Sequence, residues 1–324
     1  MKSIAAAALI AAALSATLGC ATVQAQQPEY PTKTVRMVVP AGPGTSLDLL
    51  ARSMSEVFTK RFGQTVYVES KPGAGGVLGA NEAKNAPPDG YTLLLSYDAM
   101  ENYPIFIKDN TFVLSRDLAP VSLMAGYPMV FVTTQTMEAK NLKDILAYGK
   151  ANPGKINFGV VPNTISQLYG VLFMKRAGID ATIVPYSTGL GFIQGALSGD
   201  VQVFPSDYNG VIEGMKAGKF KIFAVASNNR MKQDPSIPTF KEQGLDVIAE
   251  AWYGLFTPKG ASPAIINKLA AASADFAKMP DMIDRFQKIG LELYGNSPAE
   301  FAKRIAEDTA ARTEAARLGG IEPK

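Results

Sequence analysis

The residues best placed to do chemistry in this chain are Gly42-Pro43-Gly44-Thr45-Ser46-Leu47-Asp48. They follow a strand-like run, TVRMVV (34–39), and precede apolar residues at helical spacing. Thr45 or Ser46 can cap that helix with a hydroxyl. The first N–H groups of a helix lack intrahelical partners and carry partial positive charge, so a carboxylate or phosphate in front of them is stabilised. The glycines let such an anion approach the backbone closely. A plain strand–helix turn uses the same letters, and the residues alone leave the two readings level. A dinucleotide fingerprint fails because Leu47 stands where G-x-G-x-x-G needs its third glycine, although Glu69 ends the next strand where a ribose-binding acid would lie. Gly73-Ala74-Gly75-Gly76 is no Walker loop, since no Gly-Lys-Ser/Thr follows. It reads as a turn or as a second wall of a cleft.

Later in the chain, Pro162-Asn163-Thr164-Ile165-Ser166 repeats the arrangement: a strand, a turn, a hydroxyl cap. Two helix N-termini facing one cleft suit a ligand with an anionic group at each end; an ordinary capped helix is the alternative. Tyr186-Ser187-Thr188-Gly189, Ser206-Asp207-Tyr208 and Tyr97-Asp98 also follow strand-like runs, and each suits loop surface as well as ligand contact. Trp252 suits packing better than recognition. The chain has no histidine. That excludes a Ser-His-Asp triad, a Cys-His pair and an imidazole metal site. It also removes the commonest general base. The balance falls toward binding, with no catalytic residue, cofactor or metal implied. Asp48 and Asp207 are the general-base candidates of a rival reading, a secreted enzyme.

These residues need elements to position them. The chain alternates strand-like and helix-like patches, the pattern of an α/β fold with largely parallel strands. Strands are predicted at 34–39, 65–70, 91–96 and 128–134. Helices are predicted at 46–62, with Leu50, Met54, Val57 and Phe58 on one stripe, and up to about 85. From Asn141 the pattern restarts. Helices at 142–152, 166–177, 190–198 and 208–217 alternate with strands at 156–161, 182–186, 201–207 and 220–227. EAWYGLFTP (250–258) reads as a crossover back to the first domain. Helices at 263–278 and 298–318 close the chain. The expectation is a discontinuous domain 1 (26–130 plus 250–324) interrupted by domain 2 (131–249), with ligands between them at the carboxyl ends of the strands.

The whole chain bounds the rest. Lys2 and the apolar run 4–18, followed by Val23-Gln24-Ala25, read as a secretory signal peptide cleaved near Ala25. The run is too short to span a bilayer as a helix, which takes roughly 20 residues. Cys20 is the sole cysteine; Thr17 spoils the lipoprotein pattern before it, so Cys20 is expected to leave with the signal. Roughly 300 residues then remain, two domains at ~150 residues each. The net charge is +3. That gives no electrostatic case for nucleic acid or an anionic membrane surface.

Several runs, in this order, carry a family likeness. They are Tyr30-Pro31; Val39-Pro40 with Pro43-Gly44 and Asp48 through Ala51-Arg52; Lys71-Pro72-Gly73-Ala74-Gly75-Gly76; and Pro88-Asp89-Gly90-Tyr91-Thr92-Leu93. Then come Ala177-Gly178-Ile179, Val184-Pro185-Tyr186, Gly199-Asp200-Val201, Pro238-Thr239 with Glu242 and Gly244, and Trp252 with Gly254 and Pro258. Together they resemble the Bug-type, or tricarboxylate-binding-receptor-like, extracytoplasmic solute-binding proteins of tripartite tricarboxylate transporters. The resemblance implies a two-lobed type II periplasmic-binding-protein fold. Each lobe would be a mostly parallel sheet flanked by helices, hinged at a central cleft. It implies a periplasmic monomer that captures a small carboxylate, a dicarboxylate foremost, aliphatic or aromatic, and delivers it to the subunits of a membrane permease. An amino acid, or a signalling rather than a transport role, is the alternative.

The sequence departs from the family pattern in places. Thr45 stands where a second glycine is usual. Val161 and Asn163 replace glycines, Gln167 stands where a histidine is usual, and Ser187 and Thr188 replace lysine and glycine. Gly44, Thr45 and Ser46 are assigned to one carboxylate, and Thr164, Ser166, Gln167 and Ser187 to the other end. Thr188, Tyr97, Asp98, Tyr186, Asp207 and Tyr208 line the cleft. The acids Asp48, Asp98 and Asp207 would suit a cationic group, and the tyrosines an aromatic ring. Asp48 is expected to order water or the loop.

Overall fold

A computed structural model describes residues 30–323 apart from 110–111, 140 and 188. The signal-peptide reading, Cys20 and Thr188 lie outside the described residues.

The first strand-loop-helix unit forms as its letters dictate. β1 (Val35–Val39) leads into α1 (Ser46–Phe62). The Thr45 side chain caps α1, and Lys60 and Arg61 sit in its last turn, where cations favour the helix dipole. Gly63, at φ 66, ends it in a left-handed turn. Leu47, Leu50, Ala51, Met54 and Phe58 form its buried stripe. β2 (Val66–Ser70), α2 (Val77–Lys84) and β3 (Thr92–Tyr97) follow.

β4 (Leu118–Pro128) and β5 (Val130–Thr134) are separated only by Met129. Next come α3 (Leu142–Ala151), β6 (Ile156–Val160), α4 (Ile165–Ala177), β7 (Ala181–Pro185) and α5 (Gly189–Ser198). After them run β8 (Val203–Ser206), α6 (Tyr208–Lys216) and β9 (Phe220–Val225). The return strand is β10 (Glu250–Pro258), followed by α7 (Pro263–Lys278), α8 (Pro280–Gln287), β11 (Glu292–Leu293) and α9 (Pro298–Gly319).

Two sheets result, in the orders β11-β4-β10-β3-β1-β2 and β7-β6-β8-β5-β9. β1 pairs in parallel with β2 and β3, and β6 with β7 and β8. β10 runs antiparallel to β3 and β4, and β5 antiparallel to β8 and β9. Both sheets are therefore mixed rather than mostly parallel. The reason is the crossovers: β5, where the chain enters the second sheet, and β10, where it returns to the first, run against the strands built from strand-helix units.

β4 has no counterpart in the sequence reading. Its Pro120, Gly126 and Pro128 look like turn residues, yet Pro120 pairs with Phe256 beside a register shift in the ladder. A bulge tolerates the missing donor.

Each sheet carries its own apolar core. Around the second, Phe131, Phe158, Phe173, Phe223 and Phe240 pack together, Phe131 and Phe240 with ring centres 4.8 Å apart. Around the first, Leu94, Trp252, Phe256 and Phe301 do the same. Among the described residues no helix is long and apolar enough to cross a membrane.

Candidate functional site

The opening loop is held from inside by Asp48. Its carboxylate Oδ2 accepts from the Gly44 amide at 3.0 Å and from Arg52 Nε at 2.9 Å, and its Oδ1 accepts from Ser70 Oγ at 3.5 Å. The Asp48 amide in turn donates to Thr45 Oγ1 at 3.3 Å, and that hydroxyl donates to Gly42 O at 2.9 Å. Burial alone would raise the Asp48 pKa, but Arg52 and the Gly44 amide hold it below the ordinary carboxylate range. Gly44 has φ 81, a conformation side chains rarely adopt, which turns its amide toward Asp48. The sequence reading placed the Gly44 backbone against a ligand; the amide faces the loop's own acid instead. The first-turn amides left without intrahelical partners by helix geometry are those of Ser46 and Leu47.

The second loop is built alike. Thr164 caps α4, accepting from the Ser166 amide at 3.2 Å and donating to Val161 O at 2.7 Å. Ser166 Oγ accepts from the Val161 amide at 2.9 Å. Gln167 Oε1 accepts from the amide of Asn163, which sits at φ 60. Asparagine tolerates this left-handed conformation better than most residues. These polar side chains thus shape the loop.

The two sheets meet at Ser46. Its hydroxyl donates to Asp207 Oδ2 at 3.5 Å and accepts from Asn209 Nδ2 at 3.2 Å. Beside it stands Tyr253, whose ring lies 5.4 Å from that of Tyr127. The carboxyl end of β1 in one sheet therefore faces the carboxyl end of β8 in the other. Asp207 caps α6 through the Gly210 amide at 2.9 Å. Burial raises its pKa, with the Gly210 amide and Ser46 opposing. Among the described residues no cation pairs with Asp207 in the manner of Arg52 with Asp48.

The other nominated residues divide. Asp98 is not a free acid facing a ligand: it is 2 % exposed and ion-paired with Arg312 of α9. Tyr97 donates to Gly75 O, as does Tyr103. That contact explains the Gly-rich run: a Cβ on Gly76 would lie 2.5 Å from the Tyr97 hydroxyl and 2.1 Å from Met100 Cε. Tyr186 packs edge-on against Phe192 at 5.8 Å and against Gly195 of α5. Tyr208 lies against Gly290, in the loop before β11. Ser187 is exposed. Trp252 is buried, its Nε1 donating to Asp308 Oδ2 at 2.8 Å. Sequence reasoning missed Ser46's partner Asn209, the tyrosine pair and Arg312.

A cavity of about 620 Å³ lies along the β11 edge, lined by residues including Tyr127, Arg230, Lys232, Glu250, Glu292 and Tyr294. None of the nominated residues lines it. Its cations are already paired, Lys232 with Glu292, Arg230 with Glu242. We therefore place the candidate site at the facing strand ends rather than in this cavity. Among the described residues no group of three or more acids could hold a metal ion.

The family model for the tripartite tricarboxylate transporter family receptor matches residues 50–317. A Cupriavidus necator relative described as "UPF0065 protein in gbd 5'region" is 31% identical over 300 residues, 91% of this chain and 91% of its own length. The solved periplasmic binding protein BugD is similar with a TM-score of 0.81 at 27% identity, covering 91% of this chain and 100% of that one. MatC from Rhodopseudomonas palustris, solved with bound malate, is similar with a TM-score of 0.78 at 26% identity, covering 89% of this chain and 100% of that one. The two-lobed α/β fold is the one these structures share, and the chain belongs to the tripartite tricarboxylate transporter receptor family.

Proposed function

We propose that this protein is a periplasmic receptor that closes over a small dicarboxylate and delivers it to a membrane permease. The observation that carries the reading is the contact of Ser46 with Asp207 and Asn209, which brings the first turn of α1 against the start of α6; β8, which leads to α6, pairs in parallel with β6, which leads to α4. Three capped helix N-termini then border one gap, and each favours an anion. The malate named with MatC is a dicarboxylate, which fits two such ends. In this reading the lobes are 26–130 plus 250–324 and 131–249, the leader 1–25 is removed on export, and the protein acts as a monomer. Thr45 and Ser46, with the first-turn amides of Ser46 and Leu47, hold one carboxylate. Thr164, Ser166, Gln167 and Ser187 hold the other, with Tyr97 and Tyr208 beside the gap. Neither Asp48 nor Asp207 acts as a catalytic base.

One observation favours a second reading. Asp207 lacks a cationic partner among the described residues, so a ligand with an ammonium group could supply one. A dicarboxylic amino acid satisfies both ends and this acid.

A thermal-shift screen of aliphatic dicarboxylates, aromatic carboxylates and amino acids tests both. A ligand at ~100 times its Kd adds about 2.7 kcal/mol. That raises Tm by about 5 °C in a chain this size. Shifts from dicarboxylates support the first reading, and larger shifts from their amino analogues support the second. A flat screen contradicts both.

A further inference from the structure

The final helix belongs to both cores. Phe301 and Ile305, in its first half, pack with Trp252 and Phe256 of the first sheet. Ala315 and Ala316, in its second half, pack with Tyr169, Leu172 and Phe173 of α4 and the second sheet. The approach to α4 is close: a Cβ on Gly319 would lie 3.0 Å from Val171 Cγ1 and 3.7 Å from Val171 Cβ.

Between these two anchorages stands Arg312, only 1 % exposed. Its Nη2 donates to Asp98 at the end of β3 and, at 2.8 Å, to Glu250 O, where the return crossover enters β10. It also lies beside Tyr169 on α4. One guanidinium thus ties the first sheet to the crossover and stands against the helix that carries the second loop. Its Nε is buried with no hydrogen-bond partner among the described residues. A buried ion pair of this kind commonly stabilises a fold less than apolar side chains of the same volume would. Its distinguishing property here is that it fixes three elements in one geometry. On the Ser46 side, by contrast, the direct hydrogen bonds between the α1 turn and α6 are long, 3.5 and 3.2 Å.

We infer that the seam between α4 and α9, pinned by the positioning residue Arg312, is the fixed pivot of the clamp, and that only the Ser46–Asp207 side parts to admit ligand. The inference rests on reading the molecule as a clamp, but its test uses no ligand, so a failed ligand screen and a failed pivot are told apart.

The 3.7 Å Cβ separation lies within the range a disulfide needs. The test is Val171→Cys with Gly319→Cys in the chain carrying Cys20→Ser, so that no native thiol remains. Ser46→Cys is added as a reporter, because Ser46 is 4 % exposed and a maleimide reaches that position only when the gap opens. Once the 171–319 bond has formed, the thiol introduced at 46 should react at a rate within about 2-fold of the reduced form. Slowing of about 10-fold or more on oxidation, reversed by reductant, would mean that the seam itself parts, and would overturn the inference. So would failure of the 171–319 bond to form, or absence of labelling at 46 in either form.

Arg312→Met combined with Asp98→Asn removes the pin without stranding a buried charge. It should speed labelling at 46 by about 10-fold, because breaking a buried pair loosens what it held. Arg312→Lys should restore much of the parent rate, and the 171–319 disulfide all of it. Labelling at the parent rate in the double variant without the disulfide would remove Arg312 from the pivot.

Discussion

Asp48, Asp98 and Asp207 look alike as letters, and their environments set them apart. Asp48 pairs with Arg52 one helical turn away, a spacing visible in the sequence. Asp98 pairs with Arg312, 214 positions away, which no local pattern could announce. Asp207 has neutral donors, and burial raises its pKa. Its contribution to stability is therefore present below the ordinary carboxylate pKa and is lost as pH rises through the raised value. Asp207→Asn, still a good cap, should stabilise the ligand-free chain at pH 7 and give no gain at pH 3, by urea midpoints. A gain at both would contradict this. Asp117 has the opposite sign. Although burial opposes it, Arg116, the Val113 amide and Lys84 hold its pKa down to about 2. Its stabilisation is present above the ordinary value and is lost as pH falls through about 2. Asp117→Asn should cost about 2 kcal/mol at pH 7 and about half that at pH 3. An equal cost at both would show that packing, not charge, is responsible.

At the scale of elements, caps and stripes made most of the chain readable. Thr45, Thr164 and Ser262 begin helices, and Gly63, Gly178 and Gly320 end them in left-handed turns. α9 opens on the capping box of Ser297 and Glu300. What was not readable was β4, whose prolines imitate turns, and β11, two residues long and formed only by pairing with β4. The antiparallel strands escaped for the same reason: orientation depends on partners, not on the strand's own letters. Within the candidate site, the loops were legible but their inward hydrogen bonds were not, so Gly44 was assigned outward. Thr164→Ala tests how far a cap serves the site. It should cost about 1 kcal/mol in chemical denaturation and weaken ligand binding as well, since the first turn of α4 is the proposed anion seat. Lost stability with unchanged affinity would move the ligand away from α4.

For the whole molecule, the account turns on two sheets whose strand ends face each other across Ser46, with α9 rooted in both cores. Without histidine the chain has no imidazole base, and Asp48, Asp98 and Asp207 are engaged in a loop, an ion pair and a helix cap. The cavity along the β11 edge, about 620 Å³, competes with the gap between the strand ends for the role of ligand site. A crystal structure of the protein with the dicarboxylate or amino acid that shifts Tm most decides between them. The account predicts ligand density between Ser46 and Thr164, with one carboxylate on the first turn of α1 and the other on that of α4. Density instead among Arg230, Lys232 and Tyr294, with the strand-end gap free of ligand, would contradict it.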